Sequence, residues 1–220
     1  DYKNWQDNLI IYGLDLRNIF ALENFINYLK QTEPYLDAII NNAAQTIKYP
    51  NEYYQPLLKI EKNLKELPPA QQNRIVKTTD SETESISGEI TRFFPPDKTD
   101  IFNQPLDLRP NNSWVMKLDE VEMPELIEVN LVNNIAPFLL NSKLKDLLSR
   151  SPFEKRFIIN VTSTEGQFSY KGKTEHHPHT NMTKAALNMM TRTSAEDYAK
   201  SNIYMNSVDV GWMSSGKPFE

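Results

Sequence analysis

Ile158-Ile159-Asn160-Val161-Thr162-Ser163, followed downstream by Pro178-His179-Thr180-Asn181-Met182-Thr183-Lys184-Ala185-Ala186-Leu187-Asn188, is the stretch on which the reading of this chain turns. Its first piece fits a strand over 156–162 that is buried on both faces and runs out into a hydroxyl side chain. Its second piece opens a helix, from about Thr180 to Lys200, that carries a lysine back toward that strand end. Ile203 to Val208 then supply a further strand. A strand, a helix and a strand at this spacing imply a parallel pair joined by a right-handed crossover.

The same alternation extends toward the N-terminus. Pro124 suits the first turn of a long helix running to about Arg150. Leu126, Val129, Val132, Ile135, Phe138, Leu139 and Leu144 form its apolar stripe, and Pro137 is expected to kink it. Further upstream, Leu9 to Leu14 and Leu36 to Ile40 read as buried strands. Between them Asn18 caps a helix with Phe20, Leu22, Phe25, Ile26 and Leu29 on its apolar side. These pieces predict a second βαβ unit.

Residues 49–124 interrupt the pattern. A helix over 51–67, with Tyr54, Leu57, Leu58, Ile60 and Leu64 as apolar positions, ends at Pro68-Pro69. Polar and proline-spaced segments follow, of a composition not expected to pack a core of its own. This region reads as an insertion, partly flexible and suited to binding a partner.

Bulk composition excludes several functions. The 220 residues suit one well-buried domain or a piece of a larger one. Lys and Arg total 24 against 29 Asp and Glu, a net charge of -5, which leaves no broad basic face for nucleic acid. No run approaches the roughly 18 apolar residues of a membrane span. With no cysteine, disulfides and thiolate chemistry are excluded. The expectation is a soluble intracellular protein, of the cytoplasm first, with an organelle left open.

Several blocks resemble, in order, the short-chain dehydrogenase/reductase family. Asp15-Leu16 resembles the pair that holds the adenine ring through side chain and backbone. Asn41-Asn42-Ala43-Ala44 resembles the Asn-Asn-Ala-Gly motif closing the fourth strand, with Ala44 in place of glycine. Asn130 stands where the family's helix asparagine organises a relay water, Ser163 where it keeps its serine, and Lys184 where it keeps its lysine. Asn206-Ser207-Val208-Asp209-Val210-Gly211 resembles the Asn-Ser-Val-x-Pro-Gly turn beside the nicotinamide. Thr180 occupies the place of the catalytic tyrosine. The His177-Pro178-His179-Thr180-Asn181-Met182 stretch and the insertion are similar to those of a divergent branch of mostly uncharacterised members.

The resemblance implies an α/β, Rossmann-like doubly wound parallel sheet, here a partial domain over 1–220 with the insertion at about 49–124. It implies NAD or NADP held by Asp15, Leu16, Asn42, Ala43, Ala44, Lys184 and Gly211, and a small carbonyl or alcohol substrate at Asn130, Ser163, Thr180 and Lys184. The two helices at 124–150 and 180–200 correspond to the family's usual oligomer face, which implies a homo-oligomer or a subunit of a larger assembly.

Two departures qualify this expectation. Glycines stand at 13, 88, 166, 172, 211 and 216, and none gives the Gly-rich turn that cradles a pyrophosphate. The chain also opens at the approach to the family's third strand and stops shortly after the sixth. In the order 3-2-1-4-5-6-7 the third strand does not neighbour the fourth. The first two strands and the C-terminal end are therefore expected to be missing, as in a fragment, an incomplete chain or a remnant completed by a partner.

The missing phenol decides the chemistry. In the resembled family tyrosine exchanges the hydroxyl proton, lysine lowers its pKa and serine orients the substrate oxygen. A phenol titrates near about 10 and an aliphatic hydroxyl far above it, so Thr180 reads better as a cap or substrate contact than as an acid. His176, His177 and His179 lie just before it, and imidazole, near about 6.5, suits proton transfer. His179 is the best placed, with a plain loop and capping role as its alternative. Tyr170 could fold into the cleft or serve packing. Adjacent His176 and His177 do not easily face one ion, and no distant ligand pair appears, so no metal is expected. Two functions follow from different classes: an NAD(P)-dependent oxidoreductase, or a catalytically degenerate Rossmann-like subunit using the insertion as a contact surface.

Overall fold

The computed structural model describes residues 6–62, 75–77, 93–95, 98–99 and 105–211. The chain divides into two compact units. One draws on Asp1–Asp15 and Tyr49–Pro110, the other on Leu16–Lys48 and Asn111–Pro218. The expected insertion of 49–124 is thus divided at Pro110, and residues 111–124 belong with the larger unit.

In the larger unit, α1 (Ile19–Thr32) starts where Asn18 caps it: the Ala21 N–H donates to Asn18 Oδ1 at 3.0 Å. Ala21, Leu22 and Ile26 are buried, whereas Phe20, expected on the apolar side, is exposed. Three parallel strands follow in the order β2 (Ala38–Asn41), β4 (Arg156–Thr162), β5 (Ile203–Asp209). The register pairs Asn41 with Asn160 and Thr162 with Asp209. The sheet is parallel and Rossmann-like, as expected.

These strands are not buried on both faces. Ile39, Ile158, Ile203 and Met205 are buried on one side, while Ile40, Phe157 and Tyr204 keep 66%, 41% and 37% exposure on the other. The cause is topological. Passing from β2 to β4 to β5 moves always in one direction, and right-handed crossovers in one direction place their helices on one face.

The long helix expected over 124–150 is segmented. It comprises α3 (Met123–Asn130), a π-turn (Leu131–Ile135), α4 (Ala136–Lys143) and α5 (Lys145–Ser149). In the π-turn the Ala136 N–H donates to Leu131 O, five residues back. Pro137 has no N–H to offer the carbonyl four residues earlier, which favours widening the helix at this point. Val129 and Leu144 are buried as expected, but Ile135 and Phe138 are exposed. The helix α6 (Pro178–Ala199) packs against β4 and β5 and against α3.

In the smaller unit, β1 (Ile11–Gly13) pairs in parallel with β3 (Ile75–Lys77), Ile11 opposite Ile75. The expected βαβ unit is therefore corrected: β1 and β2 lie in different sheets. α2 (Asn51–Lys62) forms as expected, and the remainder of the 51–67 expectation falls outside the described residues. Its inward aromatic is Tyr53 rather than Tyr54.

A small core does form in this unit, contrary to expectation. Tyr49 and Tyr53 stack at 3.7 Å, Phe94 meets Tyr53 edge-on at 5.6 Å, and the Arg109 guanidinium lies over Tyr49 and Phe94. Asp107 fixes that guanidinium through bonds of 2.9 and 2.8 Å. Burial, then the Asp107 carboxylate, raises the Tyr49 phenol above its ordinary pKa. Rings and a clamped cation thus replace the aliphatic residues that the segment lacks.

Between the sheet and α4 lies a triad of buried amides. Asn41 Nδ2 donates to Asn141 Oδ1 and Asn160 Oδ1, both at 2.8 Å, and Asn141 Nδ2 donates to Asn160 Oδ1 at 3.1 Å. Asn160 Nδ2 continues to Thr191 Oγ1 on α6. Replacing Asn160 with Leu removes the shared acceptor and strands two buried donors. At about 1–3 kcal/mol for each unsatisfied group, a loss of about 3 kcal/mol in urea unfolding is expected, with the slope against urea unchanged.

Candidate functional site

The sequence-selected residues of the larger unit gather where the strands end. Lys184 lies on α6, one turn after Thr180, and its Nζ donates to Val161 O at 2.8 Å. Thr162 Oγ1 donates to the Lys184 carbonyl. Helix and strand are thereby tied together immediately before Ser163. Burial lowers the Lys184 ammonium below its ordinary pKa. One of its three N–H groups has this protein acceptor, so donors remain for a ligand.

Ser163 leaves β4 with extended backbone and caps a short 3-10 turn, Thr164–Gly166. A Cβ at Gly166 would lie 2.7 Å from the Lys184 carbonyl carbon and 2.9 Å from Ala185 N. Only glycine lets this turn lie directly on α6. Asn42, Ala43 and Ala44 follow β2 and are exposed, as is Gly211 beyond β5 at φ +73. The division between the two units falls between Asp15 and Leu16.

Asn130 donates from Nδ2 to Leu126 O of its own helix at 2.8 Å. The asparagine that reaches the end of β2 is Asn133, in the π-turn. Its Oδ1 accepts from the Gln45 N–H at 2.7 Å, and its Nδ2 lies within bonding distance of Gln45 O and of Thr183 Oγ1. Sequence reasoning missed Asn133. The usable signal was Pro137 four residues later, which marks where the helix must widen.

Thr180 is buried, and its hydroxyl has no partner among the described residues. His179 is buried too: Nε2 faces Glu125 Oε1 at 3.1 Å, and Nδ1 has no partner. Neither presents a titratable proton to solvent. Tyr170 folds over Gly172, its hydroxyl 2.5 Å from where a Cβ there would sit.

The other two histidines hold a strap. Trp114, Val115 and Met116 offer three successive carbonyls, taken by His177 Nδ1 (2.8 Å), His176 Nδ1 (2.8 Å) and the His177 backbone N–H (2.8 Å). His177 Nε2 meets Glu165 Oε2 at 2.6 Å, and its ring packs on Trp114. These contacts hold His177 at φ 39, a left-handed backbone that non-glycine residues adopt at a cost. Among the described residues no group of three or more His, Asp or Glu could hold a metal ion.

No family model matches the sequence. An uncharacterised protein of Acanthamoeba polyphaga mimivirus is 29% identical over 205 residues, covering 89% of this chain and 41% of that protein. Among solved structures, a short-chain dehydrogenase from Streptomyces avermitilis superposes with TM-score 0.52 at 14% identity, over 90% of this chain and 46% of that one. A short-chain dehydrogenase/reductase family oxidoreductase from Brucella ovis, solved with a partially ordered NAD, gives 0.51 at 18% identity over 91% and 62%. This chain has the short-chain dehydrogenase/reductase fold. A metagenomic short-chain oxidoreductase in complex with NADP gives 0.53 at 14% identity, over 91% of this chain and 58% of that one. The chain spans roughly half the length of these solved proteins, and less of the viral one.

Within this short-chain fold, Glu125 is the residue with the clearest pH signature. Burial works to raise its pKa, but hydrogen bonds from His179 and Ser113 and the charges of His179 and Lys48 outweigh it, leaving the carboxyl below its ordinary value. A folded pKa below the unfolded one stabilises the protein above the ordinary carboxylate value, and this contribution is lost as pH falls through the folded value. Chemical denaturation across the acid range should therefore show stability falling with pH, with a shallower fall in Glu125→Gln.

Proposed function

We propose that the chain forms the substrate-side half of an NAD(P)-dependent oxidoreductase of the short-chain type, acting on a small carbonyl or alcohol. The observation that carries this reading is the Lys184 ammonium, held at Val161 O immediately before Ser163 with donors to spare. Lys184 would bind the ribose of a nicotinamide nucleotide, with Asn42, Ala43, Ala44 and Gly211 along its open side and Asp15 and Leu16 at the adenine. When bound, that group supplies hydride chemistry. Ser163 orients the substrate oxygen, and Asn133 holds the end of β2 against α6. With Thr180 and His179 both buried, the proton comes from water beside Ser163 and Lys184.

Titrating the full-length protein with NADH and NADPH by fluorescence tests this. Saturable binding is expected, weakened about 10-fold or more in Lys184→Met, the loss of a hydrogen bond to a charged group. Absence of binding at millimolar cofactor overturns the reading. A second reading, a catalytically degenerate subunit, is favoured by the buried Thr180 and by the Glu125–His179 pair. It stands if that titration fails.

A homo-oligomer is supported by exposed Met123, Ile127 and Phe138 on α3 and α4, and by Met182 and Met189 on the adjacent α6. Large exposed apolar bands of this kind mark association surfaces. Light scattering should find the full-length protein larger than a monomer, and Phe138→Glu should shift it toward the monomer. A monomeric parent protein would refute this surface.

A further inference from the structure

Asp209 is the last residue of β5 and stands in register with Thr162 of β4. Its carboxylate is shared between two segments. Oδ2 accepts the Thr164 N–H at 2.8 Å, and Oδ1 accepts the Gly211 N–H at 2.8 Å. Thr164 follows Ser163 directly. Gly211 lies in the turn leaving β5, at φ +73, with nothing within 4 Å of where its Cβ would be.

The first bond acts on one particular peptide group. The Ser163 carbonyl accepts from the Gly166 N–H at 3.0 Å, and the N–H of the same peptide unit, that of Thr164, goes to Asp209. Both polar atoms of this peptide are therefore bonded. Its plane fixes ψ of Ser163 and hence the direction of the serine side chain. The second bond fixes the turn at 209–211, where Val210 lacks the ring restraint that a proline would provide.

We infer that Asp209 is a positioning residue of the site, setting the Ser163 hydroxyl and the Gly211 turn at one fixed spacing. This inference rests on the oxidoreductase reading above. The chemistry requires a carboxylate. Its two oxygens both accept, so it can take an N–H from each segment at once. An asparagine of the same shape offers one acceptor, and its NH2 faces the other N–H with nothing to exchange.

The test uses the full-length protein with Asp209→Asn and Asp209→Glu, read by amide hydrogen exchange and by the fluorescence emission of bound NADH at saturation. In Asp209→Asn, exchange at Thr164 or Gly211 should speed at least about 10-fold while the other β4 and β5 amides hold, since one lost hydrogen bond of about 1–1.5 kcal/mol corresponds to that factor. Bound NADH should shift its emission toward that of the free cofactor. Asp209→Glu, keeping both acceptors, should recover part of both signals. If the parent protein binds NADH and Asp209→Asn matches it in emission and exchange, the inference is overturned. Faster exchange with unchanged emission also overturns it, leaving a clamp without influence on the site. If the parent protein binds neither cofactor, the oxidoreductase reading falls and the positioning role with it, while the exchange data still show whether the clamp exists.

Discussion

The buried amide triad of Asn41, Asn141 and Asn160 is the constraint on which the larger unit depends. Asn41 and Asn160 are register partners on neighbouring strands, and Asn141 comes from the helix laid across them. An apolar core would tolerate a slip of one strand past another as long as side-chain volume was conserved. Amides buried from water do not, because each displaced donor or acceptor loses its partner. The chain continues through Thr191 to Ser207, so the third strand and the last long helix are tied into the same network. With register fixed at 41, 160 and 207, the strand ends that carry Asn42, Ser163 and Asp209 are fixed as well.

Much of the fold is legible from local signals. Asn18 as a cap, the strand at 156–162 and the helix from Pro178 are set by spacing and by residues acting on their immediate neighbours. What could not be read depends on contacts distant in sequence. The burial of only one strand face follows from the order of crossovers, not from the strands' composition, since Phe157 and Tyr204 have the same character as residues that are buried. The partner of β1 is another short segment more than sixty residues away. The core of the smaller unit escaped notice because Arg109 plays an aliphatic residue's part there, which composition counts as polar.

The site divides in the same way. Lys184 and Ser163 could be found from the strand-to-helix pattern alone. The histidines were conspicuous in sequence and suggested proton transfer, yet two of them satisfy the carbonyls of a strap and the third is buried against Glu125. Glu125 and Asp209 were inconspicuous because nothing in their own neighbourhoods announces a partner; each acts through a group more than forty positions away. A carboxylate that works by accepting backbone N–H groups leaves little local trace.

The π-turn at 131–135 also reconciles two incompatible rhythms. Glu125, Val129, Asn133, Pro137 and Asn141 are all buried, at a strict four-residue spacing. On a straight α-helix each step of four overshoots a full turn by about 40°, so four steps would carry Asn141 about 160° away from Glu125. One additional residue accommodated in the widened turn takes back about 100° of that drift. A single rod can thereby address His179 with its first turn, Gln45 with its middle and the sheet with its end. The phase of this helix is consequently a length-encoded property. Exchanging one side chain for another leaves it intact, whereas a one-residue deletion between 131 and 135 would turn everything beyond it to face elsewhere.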